Sequence, residues 1–141
     1  MGIKHLHEKS LEWLKHRSSW GLLIMRVVAG FLIMLHGYSK LTNLDGTAKF
    51  FASIGIPAAA TFAVIVALVE FLGGIAYIVG FLTRHAAVLI SVNMVVAVLL
   101  TKLPQLAAKG INSADLELLF LTVSICLLFA GPGKWAASKT E

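Results

Sequence analysis

Ala58–Leu82 reads AAATFAVIVALVEFLGGIAYIVGFL, 25 residues that are nearly all apolar and carry one full charge, Glu70. A soluble core does not need a helix this long and uniformly apolar. A bilayer does, because about 20 apolar residues span its hydrocarbon. A carboxylate at that depth costs about 2.5–3.5 kcal/mol on insertion scales. Glu70 must therefore be paired, protonated or used, and the rest of the chain reads as its surroundings.

The flanking sequence repeats the apolar pattern. Of 141 residues, 58% are hydrophobic and 13% are charged, about half the charge of a soluble domain. The chain reads as an all-α integral membrane four-helix bundle. Trp20–His36 forms a first span, Ala58–Leu82 a second, Ala86–Leu100 a third and Ala114–Ala130 a fourth. Residues 20–135 make the bundle, 1–19 an N-terminal amphipathic helix at the interface, and 136–141 a polar tail. In the leader, Ile3, Leu6, Leu11, Trp13 and Leu14 fall on one helical side and Lys4, Glu8, Glu12 and Lys15 on the other; the alternative is a polar leader that merely ends in Lys15, His16 and Arg17. No cleavable signal is expected, since Arg26 interrupts the first apolar run and no small-residue cleavage pattern follows it.

Turn signals cluster between the spans. Asn43, Asp45, Gly46, Gly55 and Pro57 mark a loop from Tyr38 to Pro57, with a short helix over Thr47–Ile54. Thr83-Arg84-His85 is a tight link, with Thr83 as cap of the third helix. Asn112 is positioned to cap the fourth, which stops at Gly131-Pro132-Gly133. Four spans put both termini on one side. That side holds Lys4, Lys9, Lys15, Arg17, Arg84, Lys134 and Lys139, against Lys40, Lys49, Lys102 and Lys109 opposite. The imbalance predicts both termini in the cytoplasm. Basic residues that sit at span ends are topology signals, so nucleic acid is not expected as a partner; the lipid bilayer is.

The polar residues inside the spans are the candidate site. Arg26, Gly30, Ile33 and Gly37 share one face of the first span, and Glu70, Gly73, Gly74 and Tyr77 one face of the second. Glycines on such faces let helices approach closely. An Arg26–Glu70 pair would remove the penalty of leaving either charge alone in hydrocarbon. The competing readings are a structural ion pair and a proton- or ligand-handling site. His36 and Lys40 at the outer end of the first span form a polar mouth with Asp115 and Glu117, and Asn93 lies near the middle of the third span. The alternative for Asp115 is an acid favoured by a helix N-terminus, and for Asn93 an interhelical hydrogen bond. The candidate ligand-binding set is Arg26, His36, Lys40, Glu70, Tyr77, Asn93 and Glu117, with Glu70 and Arg26 as catalytic candidates. No zinc or haem spacing is found, because the histidines lie at opposite ends or outside the membrane. The single cysteine, Cys126, reads as a small core residue.

Arg26…Gly30-Phe31…His36-Gly37…Lys40-Leu41 resembles the opening signature of the DoxX family. Gly46-Thr47-Ala48…Phe50-Phe51 through Gly55-Ile56-Pro57, then Glu70…Gly73-Gly74…Gly80…Thr83-Arg84, and finally Glu117 with Gly131-Pro132-Gly133, continue it in order. The resemblance implies a four-helix protein of the bacterial inner membrane. Its relatives include subunits of thiosulfate:quinone oxidoreductase and proteins tied to membrane redox complexes and oxidative-stress defence. A redox-complex accessory subunit that binds a quinone, with no electron carrier of its own and an oxidoreductase as partner, is the first functional expectation. A scaffold subunit is the second and a small transporter the third; a homo-oligomer is an open partner.

Overall fold

The computed structural model describes residues 3–104, 110 and 114–138, with side chains from Ser19 onward. Every regular element among them is helical: α1 (Ile3–Thr42), α2 (Leu44–Ser53), α3 (Ala59–Val79), α4 (Thr83–Ala97) with a π-turn at Val98–Lys102, and α5 (Asp115–Ala130). Three stretches are long and apolar enough to cross a membrane: Ser19–Thr42, Ala59–Val79 and Thr83–Lys102. Large apolar side chains, including Phe129, Ile24, Val92 and Leu72, point away from the bundle. On helices of bilayer length, such a surface marks a lipid-facing exterior. The chain is a multi-pass, all-α membrane bundle. The fourth helix, α5, has 16 residues, fewer than the ~20 that span hydrocarbon. It still runs the depth of the bundle, from Lys102–Glu117 at one end to Arg26–Pro132 at the other.

The helices pack around the small residues that the sequence places on shared faces. Helix α1 lies antiparallel to α3 with Gly30 opposite Gly74 and Tyr77, and Gly37 opposite the backbone of Glu70 and Phe71. A Cβ at Gly30 would lie 2.7 Å from the Gly74 carbonyl oxygen, and one at Gly74 2.5 Å from the Met34 nitrogen. Those contacts are with backbone, so neither side chain could be accommodated without separating the helices. Helix α4 returns antiparallel beside α3, and Ile90 fills the space over Gly73. Helix α5 closes the ring against α4 and α1. Ile33, Tyr77, Ala87, Ile90 and Leu127 are fully buried at its centre.

Element boundaries depart from the sequence expectation in ways that move side chains. The first span does not end at His36. Helix α1 continues from Ile3 to Thr42 without a break, so the expected interfacial helix 1–19, described from Ile3 onward, runs directly into the span; its amphipathic faces lie outside the described side chains. Asn43 alone separates α1 from α2 and caps α2 by accepting from the Gly46 N–H at 3.1 Å. The predicted short helix is therefore α2, begun three residues earlier. It ends where Gly55, at φ 82°, turns left-handed and Ile56 N–H reaches back to the Phe51 carbonyl.

Thr83 is not the cap of the third helix. The α3–α4 link is Gly80–Leu82, with Gly80 at φ 75° and Leu82 at φ 52°. Two left-handed residues close that turn, so Leu82 takes the cap position and Thr83 is already helical and buried. Ala114 takes the cap position of α5; Asn112 lies outside the described residues. Asp115 and Glu117 occupy the first turn of α5, where acids are favoured by the helix dipole.

The described part of the C-terminal segment, through Ser138, is docked on the bundle. Gly131 stops α5 at φ 74°, ψ −173°, a conformation open essentially only to glycine. The chain then folds across the end of the bundle. Ala137 and Ser138 donate backbone hydrogen bonds to the Val79 and Gly80 carbonyls. The Trp20 and Trp135 rings pack at 5.2 Å. Cys126 is not in the core but exposed on the outer face of α5, because buried Ser124 and Leu127 take the inward positions.

Candidate functional site

The expected Arg26–Glu70 pair does not form. The packed glycines fix the register, with Gly37 at the level of Glu70 and Arg26 at the level of Gly80. Eleven residues separate positions 26 and 37, about 16 Å along a helix, which is beyond arginine's reach. The expectation rested on a first span ending at His36; extending α1 to Thr42 brings Lys40 in instead.

Arg26 is 1% exposed. Its guanidinium donates to the carbonyl of Pro132 and, at 2.8 Å, to that of Trp135. It sits where α3 and α5 both end, and two helix C-termini present partial negative charge there. Arg26 therefore anchors the C-terminal segment and takes no part in the site around Glu70. Tyr77 is also elsewhere. Its hydroxyl donates to Ser124 Oγ at 2.8 Å inside the fully buried core.

Glu70 is 4% exposed. It pairs with Lys40 Nζ through one carboxylate oxygen, and the other accepts from Asn93 Nδ2 at 2.9 Å. Three helices thus meet at one carboxylate. Helix geometry explains the convergence: Ile33, Gly37 and Lys40 repeat on one face of α1, so the residue one turn beyond Gly37 reaches the acid that lies against Gly37.

This cluster is one end of a cavity of about 590 Å³, within the ~300–1,000 Å³ of small-molecule sites. Its walls are apolar and aromatic, from Phe50 and Phe51 of α2, Ile54 just past its end, Phe62 and Val66 of α3, and Phe120 of α5. His36 lines it as well, its ring edge-on to Phe120 at 5.9 Å. At the other end Lys102 pairs with Glu117 at 3.0 Å. The cavity thus gathers five of the seven predicted residues: His36, Lys40, Glu70, Asn93 and Glu117.

Lys102 and Thr101 also line the cavity and were not among the predicted residues. The π-turn sets their position. Pro104 has no N–H for the Leu100 carbonyl and its ring crowds that carbonyl, which a wider turn relieves. Leu103 N–H then bonds to Val98, five residues back. A proline shortly after an apolar helix was the available signal. The lining charges balance, with Lys40 against Glu70 and Lys102 against Glu117. A neutral ligand with a polar, hydrogen-bonding end suits such a lining better than an ion.

The DoxX family model matches residues 21–103, from the start of the first span through the π-turn. The chain belongs to the DoxX family. Six of the seven predicted site residues lie within the DoxX match; Glu117, on α5, lies beyond it. The chain is 34% identical over 111 residues to the Bacillus subtilis protein named "Putative oxidoreductase CatD", covering 79% of each. It is 34% identical over 130 residues to the uncharacterized membrane protein Rv3486 of Mycobacterium tuberculosis, covering 84% of this chain and 79% of the other. With the inner membrane protein YqjF of Escherichia coli the identity is 30% over 125 residues, covering 84% of this chain and 90% of the other. No solved structure matches this DoxX chain.

Proposed function

We propose that this DoxX protein is the membrane subunit of a redox complex, and that its cavity binds the head group of a quinone. One observation carries the reading: a charge-balanced, aromatic-walled cavity of about 590 Å³ ends in a half-buried Lys40–Glu70–Asn93 cluster whose carboxylate is buried. A quinone head is flat, neutral and apolar in its plane, and its carbonyl oxygens accept hydrogen bonds. Lys40 has three N–H donors and Asn93 two, so each can keep its bond to Glu70 and still donate to a ligand. Glu70 holds both donors in place and is the nearest acid for the protons that quinone reduction consumes. His36 packs the ring against Phe120, and Glu117 serves the outer end.

Electrons come from an oxidoreductase partner in this reading. The name of CatD and the resemblance to quinone-linked relatives both support it. The protein sits in the bacterial cytoplasmic membrane, with both termini on the cytoplasmic side by the distribution of basic residues.

The test is quinone binding to purified protein in detergent or nanodiscs. Saturable binding is expected. Lys40→Met should weaken it about tenfold or more, since a charge-assisted hydrogen bond is worth about 1.5–3 kcal/mol. Absence of saturable binding in the unaltered protein would leave the cluster a structural brace, as in a scaffold subunit.

A further inference from the structure

We infer that the cavity opens sideways into the bilayer through a window between α3 and α4, and that its ligand is a membrane-resident amphiphile whose hydrocarbon tail leaves through that window. The ring-shaped head rests on the reading proposed above, whereas the window follows from how α3 packs against α4.

The two helices are antiparallel in a single register. Ile90 fills the space over Gly73, and Asn93 donates to Glu70 at 2.9 Å. The same pairing carried outward sets Val66 level with Ala97, and Phe62 level with the Leu100–Thr101 turn. All five of these residues line the cavity. At those levels the helices therefore face a shared space and not each other. Gly73 lets α4 close on α3 in the inner half of the bundle. From Glu70 outward to Phe62, eight residues or about 12 Å, no hydrogen bond or ring contact joins α3 to α4 among the described residues.

The rim of this space belongs to the lipid-facing surface. On α4, Leu89, Val92 and Val96 recur at helical spacing along one outward stripe, with exposures of 55%, 58% and 42%. Leu89 and Val92 lie outside the cavity, but Val96 lines it, as does exposed Leu100 one turn on. Across the gap, exposed Phe62 lines the cavity one turn from Ile65, which faces outward only. On both helices, then, the cavity wall runs out into the surface that meets acyl chains. Between α1 and α5 the arrangement differs, because the His36 ring packs edge-on to Phe120 and spans the two helices.

This layout orders a ligand. The hydrogen-bonding groups of Lys40 and Asn93 stand at the deep end beside Glu70, and the window frame, Phe62 and Val66 against Val96 and Leu100, is apolar throughout. A polar head lies inward and a tail passes outward. The tail never leaves hydrocarbon, so its length incurs no transfer penalty and need not fit within the cavity. A water-soluble ligand would leave the apolar frame without a role.

The first test compares a tail-less quinone with one bearing a long isoprenoid tail, both bound to the protein in nanodiscs and referred to their concentration in the lipid. The two affinities should agree within about threefold, because the tail stays in hydrocarbon. Binding of the tail-less form with exclusion of the tailed form would overturn the window and leave the quinone reading standing. Binding of neither would overturn the quinone reading, and a second measurement without quinone decides the window. A phospholipid carrying a diazirine on one acyl chain is photolysed in vesicles with the unaltered protein, and the captured residues are mapped by mass spectrometry. Capture is expected at Phe120, on the far wall and 3% exposed, as well as on the outward stripes. Val96→Trp, which narrows the window, should abolish capture at Phe120 and keep it on Leu89 and Val92. Capture confined to the outward stripes of the unaltered protein, or capture at Phe120 that survives Val96→Trp, would refute the α3–α4 route.

Discussion

Replacing Lys40 by Met tests whether Glu70 is held by the ion pair. The carboxylate side chain is 5% exposed and the lysine 27%. Two unit charges ~4 Å apart attract by about 4 kcal/mol at an effective dielectric of about 20. Stranding one member of a buried pair costs about 3–5 kcal/mol. Because Lys40 is a quarter exposed, Lys40→Met should fall at the lower end, about 3 kcal/mol. Glu70→Gln should be milder, about 1–2 kcal/mol, since the amide still accepts from Asn93 and Lys40 is free to turn toward the rim. The double variant should be little worse than Glu70→Gln alone, which gives a coupling energy of about 2 kcal/mol or more. Reversible unfolding in mixed micelles, by circular dichroism against denaturing detergent, measures all three. Single effects that add to the double within about 0.5 kcal/mol would mean the two groups do not interact in the folded protein.

Three further outcomes follow from the packing. Arg26→Lys cannot donate in the same fork to Pro132 and Trp135, so hydrogen exchange at the Ala137 and Ser138 amides should accelerate while exchange near Glu70 stays unchanged. Gly74→Ala should destabilise by at least about 1–3 kcal/mol, because its Cβ meets the Gly30 and Met34 backbone, whereas Gly21→Ala, with nothing within 4 Å, should not; equal melting temperatures would contradict the register. Tyr77→Phe should cost about 1 kcal/mol by leaving the Ser124 hydroxyl alone, and adding Ser124→Ala should recover most of it.

The sequence by itself determined the class of structure. Runs of apolar residues at bilayer length force helices, because backbone groups in lipid must be satisfied within the segment. Periodicity also placed Arg26, Gly30 and Gly37 on one face and Glu70, Gly74 and Tyr77 on another, and both faces are buried. The resemblance to DoxX was legible in motif order alone. What only the tertiary structure decided was which polar groups meet. Partner choice across antiparallel helices depends on their axial register, and an error of six residues in the end of α1 shifts a side chain by about 9 Å. That shift exchanged Arg26 for Lys40 as the partner of Glu70, and it sent Arg26 to the carbonyls of a segment more than a hundred residues away. The cavity was hidden for the same reason: its walls come from five helices, and its outer pair depends on a π-turn that no periodicity encodes.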